Sequence, residues 1–252
     1  MYRQLLGQES HDSSLQILNE LGRYTSFMES IGTVLDIGHG NGHDLNWWAT
    51  RTIDIDDKTP LNIKCTGIDI DDTFDSKYTH HNITTVKDNF EDSKLKHNQF
   101  DVIYAHNVLQ YVVNPLQTLG HWWDLARDNA MLVIAVPSST FIQYNTIIAD
   151  QHSHDYYHWS LVSLIHHLAV NGWDCKDGFF KQERNSPWIY AVAYKQPNFK
   201  KLDYRTTTWF DLAEQQLLPE TAVNSLNQWN LVRQQDLKLM WLNKQVFDFR
   251  NY

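Results

Sequence analysis

Apolar residues along this chain fall into short continuous runs that alternate with segments of helical spacing. Leu15, Leu18, Leu21 and Tyr24 recur at helical intervals behind Ser13-Ser14-Leu15-Gln16, which has capping-box form, so a helix is predicted over about 13–29. Thr33 to Ile37 is an apolar stretch closed by a glycine turn, hence a first strand, and His43 to Thr50 reads as the helix after it. Residues 51–62 are polar and end in Thr59-Pro60, a connecting loop. Further strands are predicted at Ile63 to Ile70, Ile83 to Lys87, Phe100 to Ala105 and Met131 to Val136, with Val108 to Val113 opening a crossover.

Ser160 to Val170 carries Leu161, Leu164, Ile165 and Leu168 on one face and is stopped by Asn171-Gly172. Trp173 to Phe180 and Trp188 to Lys195 read as two strands around the polar turn Arg184-Asn185-Ser186-Pro187. Strands alternating with helices imply βαβ units, an α/β fold with a mostly parallel sheet covered on both faces. From Pro197 the character changes: Gln and Asn become frequent, and two more helices are expected near 208–218 and 220–247. The division expected is therefore an N-terminal helical segment (1–30), an α/β domain (31–196) and a C-terminal helical extension (197–252).

Composition narrows the class. The chain has 252 residues and a formal net charge of −9, a balance that argues against a nucleic-acid partner, which would be held by Lys and Arg on phosphates. The two cysteines, Cys65 and Cys175, form no CxxC pair, so neither a disulfide framework nor a structural zinc site is expected, and a cytoplasmic location fits. No signal-peptide-length apolar run opens the chain, and the longest such run, Ala130 to Val136, is only strand-sized, so no membrane span is expected.

The candidate chemistry lies at the first strand end, Val34-Leu35-Asp36-Ile37-Gly38-His39-Gly40-Asn41-Gly42. A strand feeding a glycine turn and then a helix presents backbone N–H groups and lets a ligand approach the main chain closely. Dinucleotide oxidoreductases want G-x-G-x-x-G; here the spacing is G-x-G-x-G, with Asp36 just before the first glycine and His43 where that pattern needs a small residue.

This combination resembles motif I of the class I S-adenosylmethionine-dependent methyltransferases, and the likeness continues over about residues 30–195. It is nearest to the small-molecule type. Gly67-Ile68-Asp69 resembles the family's second-strand end, whose carboxylate holds both ribose hydroxyls. Asp88-Asn89-Phe90-Glu91-Asp92 resembles the third-strand end, with Asn89 where the family usually has an adenine-binding Asp and Phe90 as an apolar contact. Phe100 to Val112 resembles the fourth-strand motif beside the methionine part of the cofactor. The resemblance implies a Rossmann-like, doubly wound, seven-stranded sheet with an antiparallel last strand and S-adenosyl-L-methionine as cofactor. It would be held by Asp36, Gly38, His39, Gly40, Gly42, Asp69, Ile70, Asn89, Phe90, Ala105 and His106.

Methyl transfer from a sulfonium is an in-line displacement that needs alignment more than a triad, and the sequence offers none. His106, after the fourth strand, is read as a base or acceptor-orienting donor, and His154 as a second candidate. The run His152, His154, Asp155 and His158 has an extended-chain spacing a metal could use, but a polar loop explains it and no metal is assigned. By resemblance, Tyr144, Tyr156 and Tyr157 follow the fifth strand where the acceptor pocket is built. The acceptor is read as a small or sugar-like molecule. The alternatives are a protein or RNA acceptor, a silent binding module, and a nicotinamide-dependent oxidoreductase. The tail's Trp229, Met240, Trp241 and Phe247 either pack over the sheet or meet a homodimer partner.

Overall fold

The computed structural model describes residues 13–53, 59–139, 157–182, 187–240 and 246–248. Its centre is a seven-stranded sheet in the order β3-β2-β1-β4-β5-β7-β6. The strands are β1 (Thr33–Ile37), β2 (Lys64–Asp69), β3 (Ile83–Lys87), β4 (Phe100–His106), β5 (Ala126–Pro137), β6 (Trp173–Gln182) and β7 (Trp188–Lys195). Neighbours pair in parallel from β3 to β5; β7 runs antiparallel to both β5 and β6. The chain order reverses beside β1, the switch point at which open α/β sheets bind ligands.

Both faces are covered. On one lie the helix over 13–21 (α1), α2 (Thr25–Ser30) and α3 (His43–Ala49), whose Ile17, Leu18, Met28 and Trp48 share a core with Val34, Val102 and Val133. On the other lie α4 (Pro115–Leu125) and α5 (Leu161–Val170), whose Leu119, Trp122, Leu164 and Leu168 pack on Leu35, Ile103 and Ile134. Strands buried on both sides must be apolar throughout, which is why Ala130 to Val136 forms an unbroken apolar run. One carboxylate ties the strand starts together: Asp101 accepts from the amides of Gly32 and Thr33 (3.0 and 2.8 Å) and from Arg127 (2.8 Å).

Two expectations are corrected. The N-terminal helix does not run unbroken to 29: it turns at Gly22, against the Trp47 ring, and restarts as α2. The long tail helix ends early. After α6 (Trp209–Glu214), α7 (Glu220–Trp229) is terminated by Asn230 in the left-handed conformation (φ 55°). Ser225 then accepts from the amide of Arg233 and donates to Asp236, folding the chain back. The remainder forms a short antiparallel pair, β8 (Lys238–Met240) and β9 (Val246–Asp248), with β8 against β6. The helical spacing of Leu237 and Met240 continued past Trp229 only by coincidence.

The extension packs within its own chain. Leu212, Leu217, Leu218, Ala222 and Leu237 are buried in the core beneath α5, and the Cys175 amide donates to Leu217 O (3.0 Å). Trp229 stays 45% exposed, with the Arg233 guanidinium 4.2 Å over its ring. No described helix is long and apolar enough to cross a membrane.

Candidate functional site

The glycine turn between β1 and α3 is held by the main chain. Gly38 N donates to Ile68 O (2.8 Å), Gly42 N to His39 O (2.9 Å), and Gly40 N to the Asp69 carboxylate (2.9 Å). Gly38 and Gly40 have φ of 68° and 51°, a region in which a side chain is strained. Their surroundings differ. A Cβ on Gly38 would lie 2.5 Å from Val108 Cγ2, whereas one on Gly40 would meet nothing within 4 Å. Gly38 is therefore required by packing, and Gly40 leaves an open approach to the backbone.

Around the turn stand three carboxylates. Asp36 is buried at the end of β1, and its Oδ2 has no hydrogen-bond partner among the described residues. Burial pushes its pKa well up, and repulsion from Asp44 and then Asp69 adds to this. Asp69, half-buried at the end of β2, accepts from the amides of Gly40 and Asp71 and has lone pairs to spare. Asp44, in the first turn of α3, is opposed by burial. Donation from His43, the His106 ring, and hydrogen bonds from Tyr104 and Ser14 nonetheless hold its carboxyl below the usual carboxylate range.

Other sequence-predicted residues surround this corner. Ile70 is 54% exposed beyond β2. Asn89 is exposed beyond β3, its Oδ1 accepting from Glu91 N, while the Phe90 ring is buried in the core and its carbonyl accepts from Trp122 Nε1. Phe90 thus supports the wall from behind. His39 also faces inward: its ring donates to Gly40 O (2.8 Å) and abuts Gly67. Ala105 is fully buried in β4, and His106 follows it half-buried, 5.2 Å from the Trp188 ring.

Tyr157 is half-buried, its hydroxyl donating to Val113 O (3.0 Å) and its amide to Gln110 O. Tyr144, His154 and Tyr156 lie outside the described residues. Among the described residues no group of three His, Cys, Asp or Glu side chains could hold a metal ion. A cavity of about 470 Å³ lies elsewhere, between α4 and residues 199–204, and includes none of these residues.

Four residues in the site escaped sequence reading: Ser13, Asp44, Tyr104 and Trp188. Asp44 carried a faint signal, two positions after the turn. Ser13 and Trp188 come from the far ends of the domain and carried none.

The corner suits a cationic nucleotide-like ligand: an orphaned buried carboxylate, an open glycine backbone and a strand-end carboxylate facing one space. It stands at the β1 switch point, where open α/β sheets bind ligands. Residues 35–132 match the family model of a methyltransferase domain. Over that span the chain is similar in sequence to methyltransferase domains. Its fold is similar to that of an S-adenosylmethionine-dependent methyltransferase from Archaeoglobus fulgidus, with TM-score 0.58 and 17% identity over 77% of this chain and 100% of that one. It is also similar to the Burkholderia thailandensis 1,6-didemethyltoxoflavin-N1-methyltransferase with bound 1,6-didemethyltoxoflavin and S-adenosylhomocysteine, with TM-score 0.51 and 14% identity over 77% and 87%. No curated protein matches the sequence.

Proposed function

We propose that the enzyme methylates a small-molecule acceptor, sugar-like or heterocyclic, with His106 as the group that orients the acceptor or takes its proton. S-adenosylmethionine supplies the methyl group as a sulfonium. Asp36 and Asp69 would hold its cationic and ribose parts, and the Gly38–Gly42 turn would lie along its backbone-facing edge.

One observation carries the reading. His106 stands at the end of β4, and its Nε2 lies 2.8 Å from a hydroxyl, Ser13 Oγ. This is the geometry an acceptor hydroxyl or amine would need for proton transfer. Trp188 beside it offers an aromatic wall. The net charge of −9 gives no support to a phosphate-backbone acceptor. The Burkholderia enzyme of similar fold, with bound 1,6-didemethyltoxoflavin, supports a small-molecule acceptor. By family resemblance, Tyr157 and the segment bearing Tyr144, His154 and Tyr156 would line the acceptor side.

The test supplies methyl-labelled S-adenosylmethionine with small-molecule and macromolecular fractions of a cell extract. Label is expected in the small-molecule fraction; label confined to protein or RNA would overturn the assignment. With an acceptor identified, His106→Ala is expected to lower kcat by about 100-fold. An unchanged kcat would remove His106 from proton transfer.

A further inference from the structure

The helix α1 reaches the site without being part of the glycine corner or of β4. Ser14 Oγ donates to Asp44 Oδ1 (2.9 Å) in the first turn of α3. One residue earlier, Ser13 Oγ contacts His106 Nε2 at the end of β4. Two adjacent hydroxyls thus bridge two walls of the site.

Asp44 is the hub of this bridge. Its side chain is only 15% exposed and takes donors from three elements: Ser14 of α1, the preceding His43 (2.9 Å) and Tyr104 of β4 (2.8 Å). Ordinary packing does not require it, because Ile17, Leu18 and Leu21, each at most 1% exposed, already seat α1 in the core. The carboxylate also carries a cost, since its charge works against the buried Asp36. A polar device kept at the one end of α1 that meets the site, against that cost, points to use in the site.

We propose that Asp44 is a positioning residue that clamps α1 across the mouth of the cofactor site, so that the methyl donor and its spent product exchange only when the Ser14–Asp44 bond opens. The clamp concerns the cofactor end alone and stands whether or not the small-molecule acceptor reading survives.

The test is stopped-flow displacement of S-adenosylhomocysteine from the full chain, with amide hydrogen exchange of residues 13–21. Ser14→Ala and Asp44→Asn are each expected to release the product about tenfold faster, the scale of one charge-assisted hydrogen bond. S-adenosylhomocysteine is expected to slow exchange in 13–21 in the native protein and to lose that effect in both variants. Ser14→Thr keeps a hydroxyl and is expected to restore slow release. Wild-type release rates in the variants would overturn the clamp, as would faster release with unaltered protection of 13–21. Should Asp44→Asn fail to fold, Ser14→Ala decides alone, because it leaves Asp44 with two donors.

Discussion

The two halves of the sheet's carboxyl edge are built from different materials. Between β1 and β2 the site is mostly main chain: left-handed glycines, amides bound to Asp69, and strand ends in fixed parallel register. Between β4 and β7 it is side chains brought from afar, with His106 between Ser13 and Trp188. A backbone-built half serves one ligand wherever the fold occurs. A side-chain-built half can change its ligand without disturbing the sheet.

The contrast predicts where substitutions register. The largest effect on binding is expected for Asp69→Ala. It removes acceptors for two charged hydrogen bonds of about 1.5–3 kcal/mol each, raising the Kd for S-adenosylhomocysteine by at least about 100-fold in calorimetry. A change under threefold would show that the backbone-built half does not depend on its carboxylate.

Next come two glycine substitutions that should separate stability from binding. Gly38→Ala meets Val108 and a positive φ together, so its melting temperature is expected to fall further than that of Gly40→Ala. Gly40→Ala has only the left-handed penalty of about 1–2 kcal/mol, but its methyl group enters the open approach and should weaken cofactor binding. The reverse order in thermal unfolding would break the distinction between packing glycine and ligand glycine.

Asp36→Asn is expected to act with opposite sign on the two properties. The folded carboxyl titrates above its unfolded value, so its favourable contribution is full below the ordinary carboxylate range. That contribution is lost as pH rises through the raised folded value. Near neutrality the substitution should therefore raise the melting temperature of the cofactor-free protein, by roughly 2–4 °C per kcal/mol relieved, while weakening S-adenosylmethionine binding. A lowered melting temperature would refute the repulsion. The smallest effect belongs to the side-chain-built half. Tyr157→Phe deletes one exposed bond to Val113 O and is expected to cost at most about 1 kcal/mol in urea unfolding.

The same division explains what could be read in advance. The central strands β1, β4 and β5 were foreseeable because buried parallel strands need apolar runs and because β1 ends in a glycine turn, whereas β6 and β7 were read from the polar turn between them. Asp36 and Asp69 were legible as strand-end carboxylates at family spacing. Asp44 and Ser13 were not, since the Ser13–His106 contact spans 93 positions and depends on how α1 lies across the sheet. The tail misled for a local reason: Asn230 can adopt a left-handed conformation as few residues can, and apolar spacing does not reveal that it will.

The placement of β7 has a consequence for synthesis. It is the last strand of the main sheet to emerge, yet it sits inside, between β5 and β6. A nascent chain that has reached Gln182 therefore carries two unfinished borders at once. Met131 to Val136, bound for the interior, is left along one of them. Release before Lys195 would leave that apolar border uncovered, so closure of the sheet waits on the β7 segment.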